Sequence, residues 1–166
     1  MSNQLFIGVL VTNRNDMIQA INNKFREMST ETIMFHQAVA DVLGLHITDH
    51  KCLDLIYRFG AMPAGRIAEL TGLTTGAVTG IIDRLEKAGY VRRADDPQDR
   101  RRTIVEPTRN KRLERKLDLI FNPLSDRMRK LMSTYSDSQL TFLFDVLTKS
   151  LEQSHHELMK LRQLRK

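Results

Sequence analysis

The chain has no tryptophan, one cysteine, four prolines and few aromatic residues (6%) in its 166 positions. A lone cysteine cannot close an internal disulfide, so Cys52 excludes the stapled architecture of small secreted domains. The longest apolar stretch, Leu5 to Val11, falls far short of the roughly 20 residues needed to span a bilayer. It also lacks a basic leader and a small-residue cleavage site, which argues against a signal peptide and makes the cytoplasm the expected compartment. Missing too are a phosphate loop, an HExxH helix, and any nucleophile–base or carboxylate pair in a supporting context. An enzyme is therefore not expected, and neither is a cofactor. What remains is an ordinary soluble composition, 41% apolar and 28% charged, rich in helix-forming residues and sized for one well-buried domain.

The net charge of +6 is unevenly spread. Residues 84–116 carry 12 Lys/Arg against 6 Asp/Glu, so the whole excess falls within 33 consecutive positions. Such a local basic patch is the electrostatic footprint of phosphate binding, with a merely solvated surface as the alternative.

Hydrophobic periodicity predicts a mainly helical chain. Met17, Ile18, Ile21, Phe25 and Met28 recur at three and four residues, an amphipathic helix from about Asn13. Ser29 or Thr30 can cap a second segment that Gly44 closes. Thr48 reads as the N-cap of a helix ending near Phe59–Gly60. Pro63 suits the first position of a short helix ended by Gly72, and Thr74 caps the next. Two short helices joined by a tight glycine-containing turn are the helix-turn-helix signature. In the second of them Val78, Ile81, Ile82 and Leu85 must face the core, which turns Thr75, Gly76, Thr79, Gly80, Asp83 and Lys87 outward.

Two interior glycines on one outward face cost a helix about 1 kcal/mol each relative to alanine. Close approach of the backbone to DNA would offset that, and tight packing on another helix is the competing explanation. Flanking threonines offer hydroxyls to base edges or phosphates and a methyl to thymine. After Gly89, the β-prone runs Tyr90–Arg93 and Thr103–Glu106 flank the turn Asp95-Asp96-Pro97-Gln98-Asp99. Their hairpin displays Arg100, Arg101 and Arg102, and a hairpin directly after a helix-turn-helix is the winged form of that motif. Arginine at a wing tip can enter a narrowed minor groove. Asp99 can aim one of the guanidinium groups by a charge-assisted pair, or form only an ordinary surface pair.

Downstream, Leu113, Leu117, Ile120, Phe121, Leu124, Met128 and Leu131 form a long helical stripe that Pro123 should kink. Ser136-Asp137-Ser138-Gln139 matches a capping box and opens a last helix along Leu140, Leu143, Phe144, Leu147 and Leu151, reaching almost to the C-terminus. These terminal helices hold more apolar surface than a small winged domain needs, which points to dimerisation.

The segment Arg66-Ile67-Ala68-Glu69-Leu70-Thr71-Gly72-Leu73-Thr74-Thr75, then Val78-Thr79, Asp83-Arg84-Leu85-Glu86-Lys87, Gly89-Tyr90-Val91 and Asp96-Pro97-x-Asp99-Arg100-Arg101-x-x-x-Val105, resembles the MarR family of bacterial transcriptional regulators over roughly residues 30–150. The resemblance implies a winged helix-turn-helix with N- and C-terminal dimerisation helices: residues 1–45 and 109–166 for dimerisation and 46–108 for DNA binding. It implies a homodimer on double-stranded DNA, usually a repressor released from a palindromic operator by a small-molecule effector. Thr74, Thr75, Gly76 and Thr79 would lie on the recognition helix, Arg84 would support the site or a phosphate, and Arg101 would be the minor-groove residue held by Asp99. The family's ligand cleft would involve His36, His50, Asp54 and Arg58. Gly80 stands where many relatives carry a basic residue, and Pro107 where they usually have leucine. With no base-reading side chain at Gly80, much of the specificity would come from the wing and from DNA shape. Cys52, on the apolar side of its helix, is read as core rather than redox sensor. His46 and His50 are four apart but lack the companions of a metal site.

Overall fold

A computed structural model describes residues 13–95 and 103–164. Its elements in chain order are α1 (Arg14–Leu43), α2 (Ile47–Phe59), β1 (Met62–Pro63), α3 (Ala64–Thr71), α4 (Thr75–Lys87), β2 (Val91–Asp95), β3 (Thr103–Pro107), α5 (Lys111–Met132) and α6 (Asp137–Leu164). The chain divides into two compact units, Met1–His50 and Lys51–Lys166, with the division inside α2. No helix among the described residues is long and apolar enough to cross a membrane.

In the first unit, the side chain of Asn13 accepts from the amides of Asn15 (2.8 Å) and Asp16 (3.0 Å), which answers two of the amides a helix start leaves open. The helix then runs unbroken to Leu43, where Gly44 at φ 70° closes it. The expected break at Ser29 or Thr30 does not occur. Thr30 Oγ1 donates to the Arg26 carbonyl (3.1 Å) and Thr32 Oγ1 to that of Met28 (2.7 Å). Hydroxyls bonded one turn back along a continuing ladder do not cap. Thr48 is likewise no cap, because α2 begins one residue earlier, at Ile47.

The second unit is built on a three-stranded sheet of order β1-β3-β2. β2 and β3 are the antiparallel hairpin, in a register that sets Arg93 opposite Val105 and Asp95 opposite Thr103. β1 is an addition: Met62 pairs with Val105 and Pro63 with Ile104 along the other edge of β3. Pro63 therefore precedes α3 instead of opening it. Its missing N–H is harmless on an edge strand. Ile67 of α3, Val78, Ile82 and Leu85 of α4, Val91 of β2, Val105 of β3 and Leu113 of α5 are almost fully buried, along with Ile56 of α2. Each such side chain contributes about 1.5–3 kcal/mol on burial.

The exit from the hairpin is tied down by polar contacts. Thr108 N donates to the Tyr90 carbonyl (3.1 Å), while Thr108 Oγ1 and Asn110 Nδ2 donate to that of Gly89 (2.6 and 3.1 Å). Asn110 also caps α5, accepting from the amides of Arg112 (3.1 Å) and Leu113 (3.0 Å). α5 continues through Pro123 as a single helix. The capping box forms as expected: Ser136 N donates to Gln139 Oε1 (2.9 Å) and Gln139 N to Ser136 Oγ (3.3 Å).

Candidate nucleic-acid interface

Helices α3 and α4 are joined through Gly72, Leu73 and Thr74. Gly72 takes the left-handed conformation at φ 75°, which a side chain resists, and Thr74 Oγ1 accepts from the Ala77 amide (3.2 Å) to start α4. The buried positions of α4 are Val78, Ile81, Ile82 and Leu85, as its spacing required. Thr75, Gly76 and Thr79 are exposed on the opposite side, together with Asp83, Arg84 and Lys87. A Cβ at Gly76 would meet nothing within 4 Å, and one at Gly80 only Arg84 Nη1 at 3.6 Å. Tight helix packing within the chain therefore does not explain these glycines, and their face is open. Thr79 Oγ1 donates to the Thr75 carbonyl (3.0 Å), which leaves the oxygen able to accept.

Arg84 extends back along α4 toward Gly80, so a cation overlies the small residue. A second arginine ties the hairpin to the helix. Arg93 of β2 donates its amide to Glu86 Oε1 (3.0 Å) and its guanidinium to Glu86 and Asp83 of α4. The bond to Asp83, then that to Glu86, holds the Arg93 pKa above the ordinary arginine value. Arg92 pairs across the strands with Glu106 (2.6 Å). The charge run alone had marked Arg92 and Arg93 only as part of a basic patch. Asp83 and Glu86 one turn apart, with an arginine just after the helix, are the pattern that indicates this latch. Asp99, Arg100, Arg101 and Arg102 lie outside the described residues, between Asp95 and Thr103 at the hairpin's ends.

Tyr57 joins the hairpin's two outer ends to α2. Its hydroxyl donates to the carbonyls of Thr108 (3.1 Å) and Tyr90 (3.4 Å), at the hairpin's exit and entry. Burial, then the charge of Glu114, pushes the phenol pKa above 10.0. A tyrosine on a helix with hydrophobic neighbours carries no sequence mark of such a role.

The cleft candidates fall into two pairs. In the first unit His36 Nδ1 and His50 Nε2 are 3.1 Å apart, His36 half-buried and His50 buried beside buried Asp49. In the second, Asp54 accepts from Lys51 Nζ (3.1 Å) and lies 3.8 Å from Arg58 Nη1. His46 is exposed, and no group of three potential metal ligands occurs among the described residues. Cys52 is fully buried.

A two-helix turn motif with an open helix face, followed by a hairpin latched to that helix, defines a winged helix-turn-helix DNA-binding protein. Residues 45–103 match the model of the MarR family. The chain is 40% identical over 151 residues to the HTH-type transcriptional regulator YcgE of Bacillus subtilis, covering 90% of this chain and 96% of that one. Its fold is shared with RV1404 of Mycobacterium tuberculosis (TM-score 0.61, 18% identity, 84% of this chain and 93% of that one). It is shared too with a MepR variant of S. aureus bound to an oligodeoxyribonucleotide (TM-score 0.53, 20% identity, 80% and 96%). The chain belongs to the MarR family: it is a DNA-binding transcriptional regulator and not an enzyme.

Proposed function

We propose that the protein is a homodimeric repressor that binds a palindromic operator and is released by a small-molecule effector. The observation that carries this reading is the open face of α4, where Thr75, Gly76 and Thr79 leave the helix backbone accessible beside the hairpin. In this reading α4 enters the major groove, with Thr74 at its start and Thr75 and Thr79 against base edges or phosphates. Arg84, lying over Gly80, supplies the cation that many relatives place at Gly80 itself. Arg101 enters the minor groove held by Asp99, and Arg100 and Arg102 meet phosphates.

The division of labour follows the chain. Residues 46–108 bind DNA, and residues 1–45 and 109–166 join two copies. Support for the dimer comes from large apolar side chains exposed along the terminal helices: Met17, Ile21 and Met28 on α1, Phe144 and Leu151 on α6. Twofold symmetry would place two recognition helices about 34–36 Å apart, one turn of DNA. The effector is read by His36, His50, Asp54 and Arg58.

Binding to a duplex from the protein's own promoter region, compared with random duplex across a salt series, tests the reading. Preference for the promoter duplex supports it, and a steep salt slope without sequence preference removes it. Arg101→Ala should weaken promoter binding by roughly 1–3 kcal/mol with the dimer intact. Unchanged affinity in a gel-shift titration would remove the wing assignment.

A further inference from the structure

The far end of α6 returns to the helix-turn-helix. Arg162, in the last turn of α6, donates Nη1 to the Glu69 carbonyl (3.0 Å) and Nη2 to the Leu70 carbonyl (3.2 Å). Both carbonyls belong to the final turn of α3, where a helix leaves its last four acceptors without intrahelical donors. The Ala68 carbonyl is already taken by the Gly72 amide (2.8 Å). Arg162 answers the next two with one planar fork, and its positive charge stands at the negative end of the helix dipole.

The guanidinium also needs the space that Gly72 leaves. A Cβ there would lie 2.9 Å from Arg162 Nη2 and 3.0 Å from both Cζ and Nε. Gly72 thus serves twice, by its left-handed backbone and by admitting the arginine. Two residues further on, Thr74 caps α4. The contact therefore bears on the short turn that sets where α4 starts, and it does so from a helix more than 90 residues away in sequence.

We infer that Arg162 is a positioning residue for DNA recognition: it clamps the end of α6 to the α3–α4 turn, so that the setting of α4 depends on α6. The inference rests on the reading of α4 as the recognition helix. It gives a contiguous mechanical link between a helix assigned to dimerisation and the one assigned to DNA. Nothing in the clamp calls for contact between Arg162 and a phosphate.

The test is a salt series of promoter-duplex and random-duplex binding by the full-length wild type, Arg162→Ala and Arg162→Lys. A lysine keeps the charge but cannot bridge two carbonyls as a planar fork does. Both variants should bind the promoter duplex about tenfold more weakly, a difference of about 1.4 kcal/mol, with the slope of log affinity against log salt unchanged. Hydrogen exchange at the amides of Gly72, Leu73 and Thr74 should be faster in both, with global unfolding unchanged. Three results would overturn the clamp: wild-type affinity in Arg162→Ala, full rescue by lysine, or a slope shallower by about one unit, the mark of a direct phosphate contact. If the wild type itself shows no preference for the promoter duplex, the repressor reading fails. The clamp is then decided by exchange at the turn, where unchanged rates would end it.

Discussion

At the scale of single residues, the side chains that position the recognition surface are mostly not those that would touch DNA. Tyr57 is the clearest case, since one phenol joins the two ends of the hairpin through the carbonyls of Tyr90 and Thr108. Both carbonyls keep an amide donor, Thr108 N for Tyr90 and Asn110 N for Thr108. Tyr57→Phe therefore strands no acceptor and should cost only the net worth of the lost bond, about 1 kcal/mol or less in urea unfolding. The folded chain holds the phenol proton more tightly than the unfolded chain does, because the pKa is raised. That contribution is fully present below about pH 10, the unfolded value, and is lost as pH rises through the folded one. Stability measured across this alkaline range should therefore fall less steeply in Tyr57→Phe than in the wild type. An identical slope would remove the assignment. Glycine positions were more legible than Tyr57. Gly44, Gly72 and Gly89 follow helices and all adopt positive φ, the conformation that glycine permits without strain.

At the scale of elements, helix faces and caps could be read from spacing because both depend on neighbours within one or two turns. The apolar set of α4 and the Ser136–Gln139 capping box are examples. β1 could not be read in this way. A two-residue strand containing proline has no periodicity, and it exists only because β3 offers a free edge. The single long α1 defeated local reading for the opposite reason: Ser29 and Thr30 have capping chemistry, but no glycine or proline nearby stops the helix. The latch between α4 and β2 is an element-scale device. Arg93→Ala removes the guanidinium bonds to Asp83 and Glu86 and leaves two carboxylates facing the gap. Because Arg93 is partly exposed, the cost should be modest, roughly 1–2 kcal/mol in denaturant unfolding. No measurable change would show the latch to be a surface pair of little consequence.

At the scale of the whole molecule, the chain separates into residues whose burial is complete within it and residues that remain open. Val105 and Leu113 are fully buried, whereas Phe142, Phe144, Leu151 and Leu164 are more than two-thirds exposed on one helix. If a second copy covers such surface, association and stability are linked by mass action. The thermal midpoint should then rise with protein concentration, and Phe144→Glu should weaken that dependence. A midpoint independent of concentration would argue for a monomer. Helical periodicity marked Phe144, Leu151 and Leu164, whereas Phe142 lies outside the stripe that the spacing predicts. Their contacts in an assembly depend on surfaces that no single chain contains.

The central claim is that the outward Gly76 keeps the backbone of α4 open for a duplex. Gly76→Leu tests it directly, because within the chain a side chain at this position meets open space. Leucine is the better helix former by about 1 kcal/mol, so the variant should melt at a higher temperature than the wild type. Its affinity for the promoter duplex should nevertheless fall by about tenfold or more, since the added side chain stands between helix and groove. A variant that melts higher and binds the promoter duplex as tightly as the wild type would contradict the account.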